Sequence, residues 1–314
     1  MRQPEATASG VGLAPPVRSA LFVPANRRRW IEGVHVHGAD AVVLDLEDAT
    51  PLRRKAEARE VLRETIPMLR ERGQGVWVRV NELGGEHIAE DVEVACQPGV
   101  TAICLPKVRG PDDIRELDLM IGYYEGRNGL PRGTVGIYPL LETAAALNDP
   151  TSVFAASSRV RYAGAVAAPN ADVAFAVGYR WSESFMESLT LRSNALLAAR
   201  ACGVANLVTG LVTSLDVDLV RRFAVHSRDL GYTGMFVIHP THVAAANEAF
   251  TPSDEEYWWS REILDGFASA VDPEIGAILD SDGMMIDEAM VQVATRISEH
   301  HDLFAERDQQ RDRG

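Results

Sequence analysis

Eight short runs of apolar, largely β-branched residues, separated by longer helix-like stretches, constrain this chain more than any other feature. The runs are Ala20–Pro24, Ala41–Leu46, Val76–Val80, Val100–Pro106, Val135–Leu141, Val160–Val166, Leu207–Val212 and Met235–His239. Each is apolar at consecutive positions, the pattern of parallel strands covered on both faces. The stretches between them are apolar on one face, as in Asp112, Ile114, Leu117, Leu119, Met120 and Ile121, where Pro111 marks a helix start. Strand then helix, repeated through the chain, predicts a closed (β/α)8 TIM barrel. An open doubly wound sheet would normally place a glycine-rich phosphate turn after its first strand. That turn here reads Val23-Pro24-Ala25-Asn26-Arg27, without glycine.

The length of 314 residues suits one barrel of about 250 residues with an addition. The barrel is expected over 18–252. Beyond it, Ser253-Asp254-Glu255-Glu256 reads as a helix N-cap with acidic first-turn residues, followed by Trp258, Trp259, Ile263, Leu264 and Phe267 at helical spacing. A second helix is expected from about Glu288 to Leu303, giving a helical extension or lid over 253–305. Residues 1–17 lack the basic start and apolar run of a signal peptide and are expected to be a flexible tail, as is the polar segment 306–314.

Hydrophobic residues make up 46% and charged residues 24%, enough apolar material for a large core. The net charge of −14 argues against nucleic acid and anionic membranes as partners, and no apolar stretch reaches the roughly 20 residues of a spanning helix. Cys96, Cys104 and Cys202 form no Cys-x-x-Cys pair; Cys104 and Cys202 are expected in the core, and a reducing cytoplasm is the expected compartment.

Barrel enzymes work at the C-terminal ends of their strands, so the polar residues that close the apolar runs are the candidates. These are Asp45, Glu47 and Asp48 after the second run, Arg79 and Asn81 after the third, and Lys107 after the fourth. Glu142 follows the fifth run, Asp172 lies beyond the sixth, and His239 ends the eighth. Three carboxylates within four residues repel one another unless a cation lies near, and Arg79 and Lys107 could supply it. A hard divalent ion takes one or two carboxylates plus water and substrate oxygens. Glu142 with Asp172 fits that need, but spacing alone does not separate them from Asp45 and Glu47. His239 and His242 resemble a His-x-x-His pair, yet Pro240 stands between them and no third ligand is evident; His239 is expected to be a hydrogen-bonded strand end, and His300 and His301 to be solvated. Arg27-Arg28-Arg29 reads either as a solvated turn or as a phosphate-binding patch.

The order of short motifs resembles the citrate lyase β-subunit family, within the HpcH/HpaI aldolase group that includes malyl-CoA and citramalyl-CoA lyases. The motifs run from Arg18-Ser19-Ala20-Leu21-Phe22-Val23-Pro24 through Asp45-Leu46-Glu47-Asp48-Ala49, Lys55, Ala58-Arg59, Val78-Arg79-Val80-Asn81 and Leu105-Pro106-Lys107-Val108. They continue with Glu142-Thr143-Ala144, Ala198-Ala199-Arg200-Ala201, Ile238-His239-Pro240 and Asn247 to Pro252. The resemblance implies a barrel in which Glu142 and Asp172 bind Mg2+ (or Mn2+). It implies that Arg79 holds the substrate carboxylate, that Asp45 and Glu47 act through metal-bound water, and that Asp287, in Met285-Ile286-Asp287, reaches a neighbouring subunit as general acid or base. Pro24, Arg27, Lys107 and Arg79 become the substrate- and CoA-binding positions, and a homotrimer or homohexamer is implied. The chain departs from the family pattern at Ala25, Gly33 and Met235 and over Ala168-Pro169-Asn170-Ala171-Asp172, some of these changes removing positive charge where relatives hold CoA.

The expected activity is a Mg2+-dependent carbon–carbon lyase or aldolase acting through an enolate on a β-hydroxy acyl-CoA or related hydroxy acid. An acyl-CoA thioesterase or condensing enzyme on the same scaffold is the enzymatic alternative. A barrel that has lost its CoA pocket and serves as a binding partner is the other.

Overall fold

In the computed structural model, which describes residues 14–269, 277–279 and 285–312, parallel strands alternate with helices around one axis. The strands are β1 (Ser19–Pro24), β2 (Ala41–Asp45), β3 (Gly75–Arg79), β4 (Val100–Leu105), β5 (Gly136–Pro139), β6 (Tyr162–Ala163), β7 (Asn206–Thr209) and β8 (Gly234–Val237). Every one falls on an apolar run of the sequence. Neighbours follow the order β5-β4-β3-β2-β1-β8-β7-β6. The ring closes between its two ends by a parallel bridge at Ile137 and Val160, where Ile137 N donates to Arg159 O (2.7 Å) and Arg161 N to Ile137 O (3.3 Å). The TIM-barrel expectation holds.

Helices α1 (Arg28–Gly33), α2 (Lys55–Glu71), α3 (Ile88–Ala95) and α4 (Pro111–Arg127) follow β1 to β4 in turn. After β5 come α5 (Ala144–Asn148) and α6 (Pro150–Phe154); after β6, α7 (Asp172–Val177) and α8 (Leu189–Ala201); after β7, α9 (Val217–Leu230); after β8, α10 (Thr241–Phe250). Pro111 stands in the first turn of α4 as expected.

The strands enclose an aromatic interior. Trp77, Tyr138, Tyr162 and Phe236 come from β3, β5, β6 and β8, with Trp77 and Tyr162 centroids 4.4 Å apart and Tyr138 meeting Phe236 edge-on at 5.0 Å. Ala20, Ala41 and Ala102 on the intervening strands make room for these rings, so large and small residues interdigitate. Trp77 is fully buried. Trp77→Ala is expected to cost about 3–5 kcal/mol in a urea melt through transfer and cavity terms; a loss below about 1 kcal/mol would mean that the interior is not packed as described.

Residues 14–17, expected to belong to a loose tail, are tied to the barrel instead. Val17 is buried, the Pro15 carbonyl accepts from the Tyr162 hydroxyl (3.1 Å), and the Ala14 carbonyl accepts from Asn206 Nδ2 (2.8 Å). Residues 1–13 lie outside the described residues. Cys202, expected in the core, is half-buried, while Cys96 and Cys104 are buried.

Two compact units divide the chain, Met1–Asn247 and Glu248–Gly314, with the divide inside α10. Within the second unit, α11 (Asp254–Ala268) begins with a capping box between Ser253 and Glu256 and precedes the antiparallel pair β9 (Ala277–Leu279) and β10 (Met285–Asp287). The terminal helix α12 (Glu288–Asp312) continues through the polar segment that composition marks as frayed, supported by Arg311–Asp308 (3.2 Å) and Gln310–Glu306 (3.3 Å) pairs. His301, expected to be solvated, stacks on Tyr257 with centroids 4.0 Å apart.

Candidate active site

The C-terminal ends of the strands surround a cavity of about 900 Å3, reached by Pro24, Asp45, Arg79, Glu142, Asp172 and His239. These positions are distant in sequence and meet because every parallel strand ends on the same rim.

Asp45 and Arg79 are register partners on β2 and β3. Arg79 Nε donates to Asp45 Oδ1 (2.9 Å) and Nη2 to Oδ2 (2.6 Å), a two-point fork on a buried carboxylate. The backbone N–H groups of Glu47 and Ala49 also donate to Asp45, at 2.8 and 3.1 Å. Both oxygens of Asp45 are thereby occupied. The third corner of the guanidinium, Nη1, lies 2.9 Å from Glu47 Oε2, and the plane packs over the Phe22 ring at 4.9 Å. Burial works to lower the Arg79 pKa, but Asp45, then Glu47 and Glu142, outweigh it and hold the group charged.

Glu47 sits between two cations, with Lys107 Nζ 2.8 Å from Oε1. Both contacts are ion pairs outside hydrogen-bond angles, and burial raises the Glu47 carboxyl against the pull of Arg79 and Lys107. The crowding at Asp45, Glu47 and Asp48 is therefore relieved by the two cations that the sequence offered. A further one went unassigned in the sequence. Buried Lys55, on α2, donates to the carbonyls of Leu46 (2.9 Å) and Glu47 (3.2 Å) and to Asn81 Oδ1, fixing the segment that carries Glu47.

Lys107 has φ +52°, an uncommon conformation for a residue with a side chain. This turn aims its N–H at Glu142 Oε2 (3.1 Å) while its ammonium reaches Glu47. The close contact with the Glu47 carboxylate, which outweighs burial, keeps the Lys107 amine protonated, so a nucleophilic imine role is disfavoured.

Glu142 is buried and makes no ion pair among the described residues. Burial first, with Glu47 and Asp172 adding repulsion, pushes its carboxyl up to about 7 against the opposing Lys107 N–H and Arg79. Asp172, exposed on the first turn of α7, faces the same cavity. A buried carboxylate with no side-chain counter-ion, beside a second carboxylate, is a donor set suited to a hard cation. No cluster of three His, Cys, Asp or Glu side chains suited to a metal occurs among the described residues. His239 Nδ1 pairs with Thr241 Oγ1 at 2.8 Å, as a strand-end histidine, and His242 is buried.

The remaining candidates are spread more widely. Arg27 lies over the Trp30 ring at 5.4 Å, Arg28 pairs with Glu64 at 2.5 Å, and Arg29 lines the cavity. Gly33 lines it too, whereas Met235 is buried in β8. Asp287 ends β10 in the second unit, where its Oδ1 accepts from Met290 N (2.9 Å) and caps α12.

The sequence pattern of the HpcH/HpaI aldolase/citrate lyase family matches residues 18–240, which span the strands and the cavity. The chain belongs to the HpcH/HpaI aldolase/citrate lyase family. Within that family it is 32% identical over 294 residues to a citrate lyase subunit beta-like protein of Deinococcus radiodurans, covering 91% of this chain and 99% of the relative. It is 30% identical over 258 residues to a (3S)-malyl-CoA thioesterase of Cereibacter sphaeroides, covering 82% and 85%. Its fold superposes with a TM-score of 0.69 on protein CitE of Mycobacterium tuberculosis, whose crystal structure is a complex with magnesium, acetoacetate and coenzyme A. Identity there is 26%, covering 92% of this chain and 99% of that one. No helix among the described residues is long and apolar enough to cross a membrane.

Proposed function

We propose that this protein is a Mg2+-dependent carbon–carbon lyase acting on a β-hydroxy acyl thioester or a related hydroxy acid. The observation that carries the proposal is Glu142, a buried carboxylate without an ion-pair partner among the described residues, opening with Asp172 on the cavity that holds Arg79. The magnesium and coenzyme A in the crystal of the mycobacterial relative support the choice of ion and substrate class.

In this reading Glu142 and Asp172 hold Mg2+, which when bound supplies positive charge beside an oxygen that becomes an enolate. Arg79, held flat by Asp45, keeps a hydrogen on each terminal nitrogen for the substrate carboxylate or that same oxygen. Asp45 thus acts as a positioning group, and Glu47 with Lys107 keeps the rim charged. Loss of the hydroxyl proton turns the hydroxyl carbon into a carbonyl. The carbon–carbon bonding pair moves onto the acyl fragment as an enolate, which then takes up a proton. Asp287 from a neighbouring copy is the proposed proton carrier, which implies a homo-oligomer, a trimer or hexamer. Pro24, on the cavity, and Arg27, three residues further along the chain, are the proposed contacts for the thioester carrier. The free cysteines suit a cytoplasmic setting.

Thioester hydrolysis is the second reading, favoured by the 30% identity to a malyl-CoA thioesterase. One experiment separates the two: pure protein is incubated with malyl-, citramalyl- and other β-hydroxyacyl thioesters, with Mg2+ or with EDTA, and products are read by mass spectrometry. Cleavage to an acyl thioester and a keto or aldehyde acid, lost in EDTA and restored by Mg2+, is the expected result. Free hydroxy acid plus CoA would indicate hydrolysis, and turnover untouched by EDTA would remove the metal from the mechanism.

A further inference from the structure

We infer that Tyr179 is a positioning residue whose hydroxyl fixes the loop that presents Asp172, and so sets the affinity of the cation site. The inference rests on the reading of Asp172 as a magnesium ligand. Its grounds are the way this short segment is held.

The chain leaves β6 clamped against β7. A Cβ on Gly210 would lie 1.9 Å from the Ala167 carbonyl oxygen, so only glycine allows the two backbones to approach, and Leu211 N donates to that oxygen at 3.3 Å. Past Ala168 this clamp ends. Pro169 and Asn170 follow, Asn170 with φ +53°, and the chain enters α7 at Asp172. A helix of six residues is marginal by itself, and its N-cap residue, Ala171, offers no side-chain cap. Val173 is its only buried residue, and Phe175 is 94% exposed. Little in the helix itself therefore holds Asp172 in place.

The tether comes from just beyond the helix. The Tyr179 hydroxyl donates to the Ala168 carbonyl (2.8 Å) and accepts from the Ala168 N–H (3.2 Å), closing residues 168–179 into a ring with Asp172 on it. The Tyr179 ring lies 6.3 Å from Trp181, which packs against Phe185 at 5.8 Å and against Phe223 of α9 at 5.6 Å. One hydroxyl thus ties the loose end of the ring to a packed aromatic group.

Tyr179→Phe removes the hydroxyl and keeps the ring, so the aromatic packing stays. Magnesium binding to the full chain is measured by calorimetric titration for wild type, Y179F, Asp172→Asn and Glu142→Ala, with the Tm of each metal-free protein. The expected result is a Mg2+ Kd raised roughly five- to ten-fold in Y179F at near wild-type Tm, and a larger loss in the two carboxylate variants. Wild-type affinity in Y179F, with binding lost in the carboxylate variants, overturns the role of the hydroxyl alone, as does a fallen Tm with unchanged affinity. Undiminished binding in both carboxylate variants overturns the metal-site reading itself, and this inference with it. If Y179F melts too low to titrate, Tyr179→Trp is used, which also lacks the hydroxyl, and the same affinities decide.

Discussion

Glu142→Gln is expected to abolish measurable magnesium binding and any turnover found. The substitution removes the buried negative charge and changes the shape little, so the fold is expected to survive. In the wild type, burial holds the carboxyl at about 7, and protons therefore compete with the cation. Apparent Mg2+ affinity is expected to fall about ten-fold between pH 8 and pH 6, most of the loss coming below pH 7. The metal-free protein carries the opposite sign. A carboxyl whose folded pKa lies above its unfolded value contributes stability below the unfolded value, and that contribution is lost as pH rises toward about 7. The apo fold should weaken from pH 4.5 to 7 while metal binding strengthens. Calorimetric titration at three pH values checks the first, and melts in EDTA check the second. A wild-type affinity that stays flat from pH 6 to 8 would contradict the assignment of Glu142.

The second large effect is expected at Arg79. Arg79→Met leaves Asp45 and Glu47 buried beside an apolar side chain, and breaking a buried pair from one side costs about 3–5 kcal/mol. Urea unfolding should show that loss, and turnover should fall by at least about a hundred-fold. Adding Asp45→Asn to Arg79→Met is expected to restore much of the stability and none of the activity. Recovery of both would reduce Arg79 to a structural counter-ion; recovery of neither would mean that the Asp45 contacts with the Glu47 and Ala49 N–H groups matter more than the ion pair.

The barrel was legible because strands buried on both faces are apolar at every position, and all eight runs became strands. Their ends were less so. The sixth run, Val160–Val166, yields only Tyr162 and Ala163 in β6, since Gly164 at φ +156° turns the backbone out of the ladder. The rim could also be read, as polar residues ending apolar runs. What pattern could not do was rank its carboxylates. Asp45 is consumed by Arg79 and two backbone N–H groups, whereas Glu142, among the described residues, accepts from the Lys107 N–H alone, and that difference exists only in three dimensions. The left-handed turn at Lys107 and the Phe22 ring beneath Arg79 left no mark in composition or spacing. Tyr179 acts through its hydroxyl on a backbone eleven residues earlier, and no periodicity reports that. Lys55 stood in a matched motif, but its task, gathering two successive carbonyls, follows from the bend after β2.

The closure of the barrel has a consequence for the ion. The seam between β5 and β6 is held by a single bridge, at Ile137 and Val160, where other joins have continuous ladders. Glu142 leaves the wall on one side of that seam and Asp172 on the other. A cation gripped by both would act as a rivet across the join where the cylinder has fewest stitches. Loading the site and finishing the wall would then be one event.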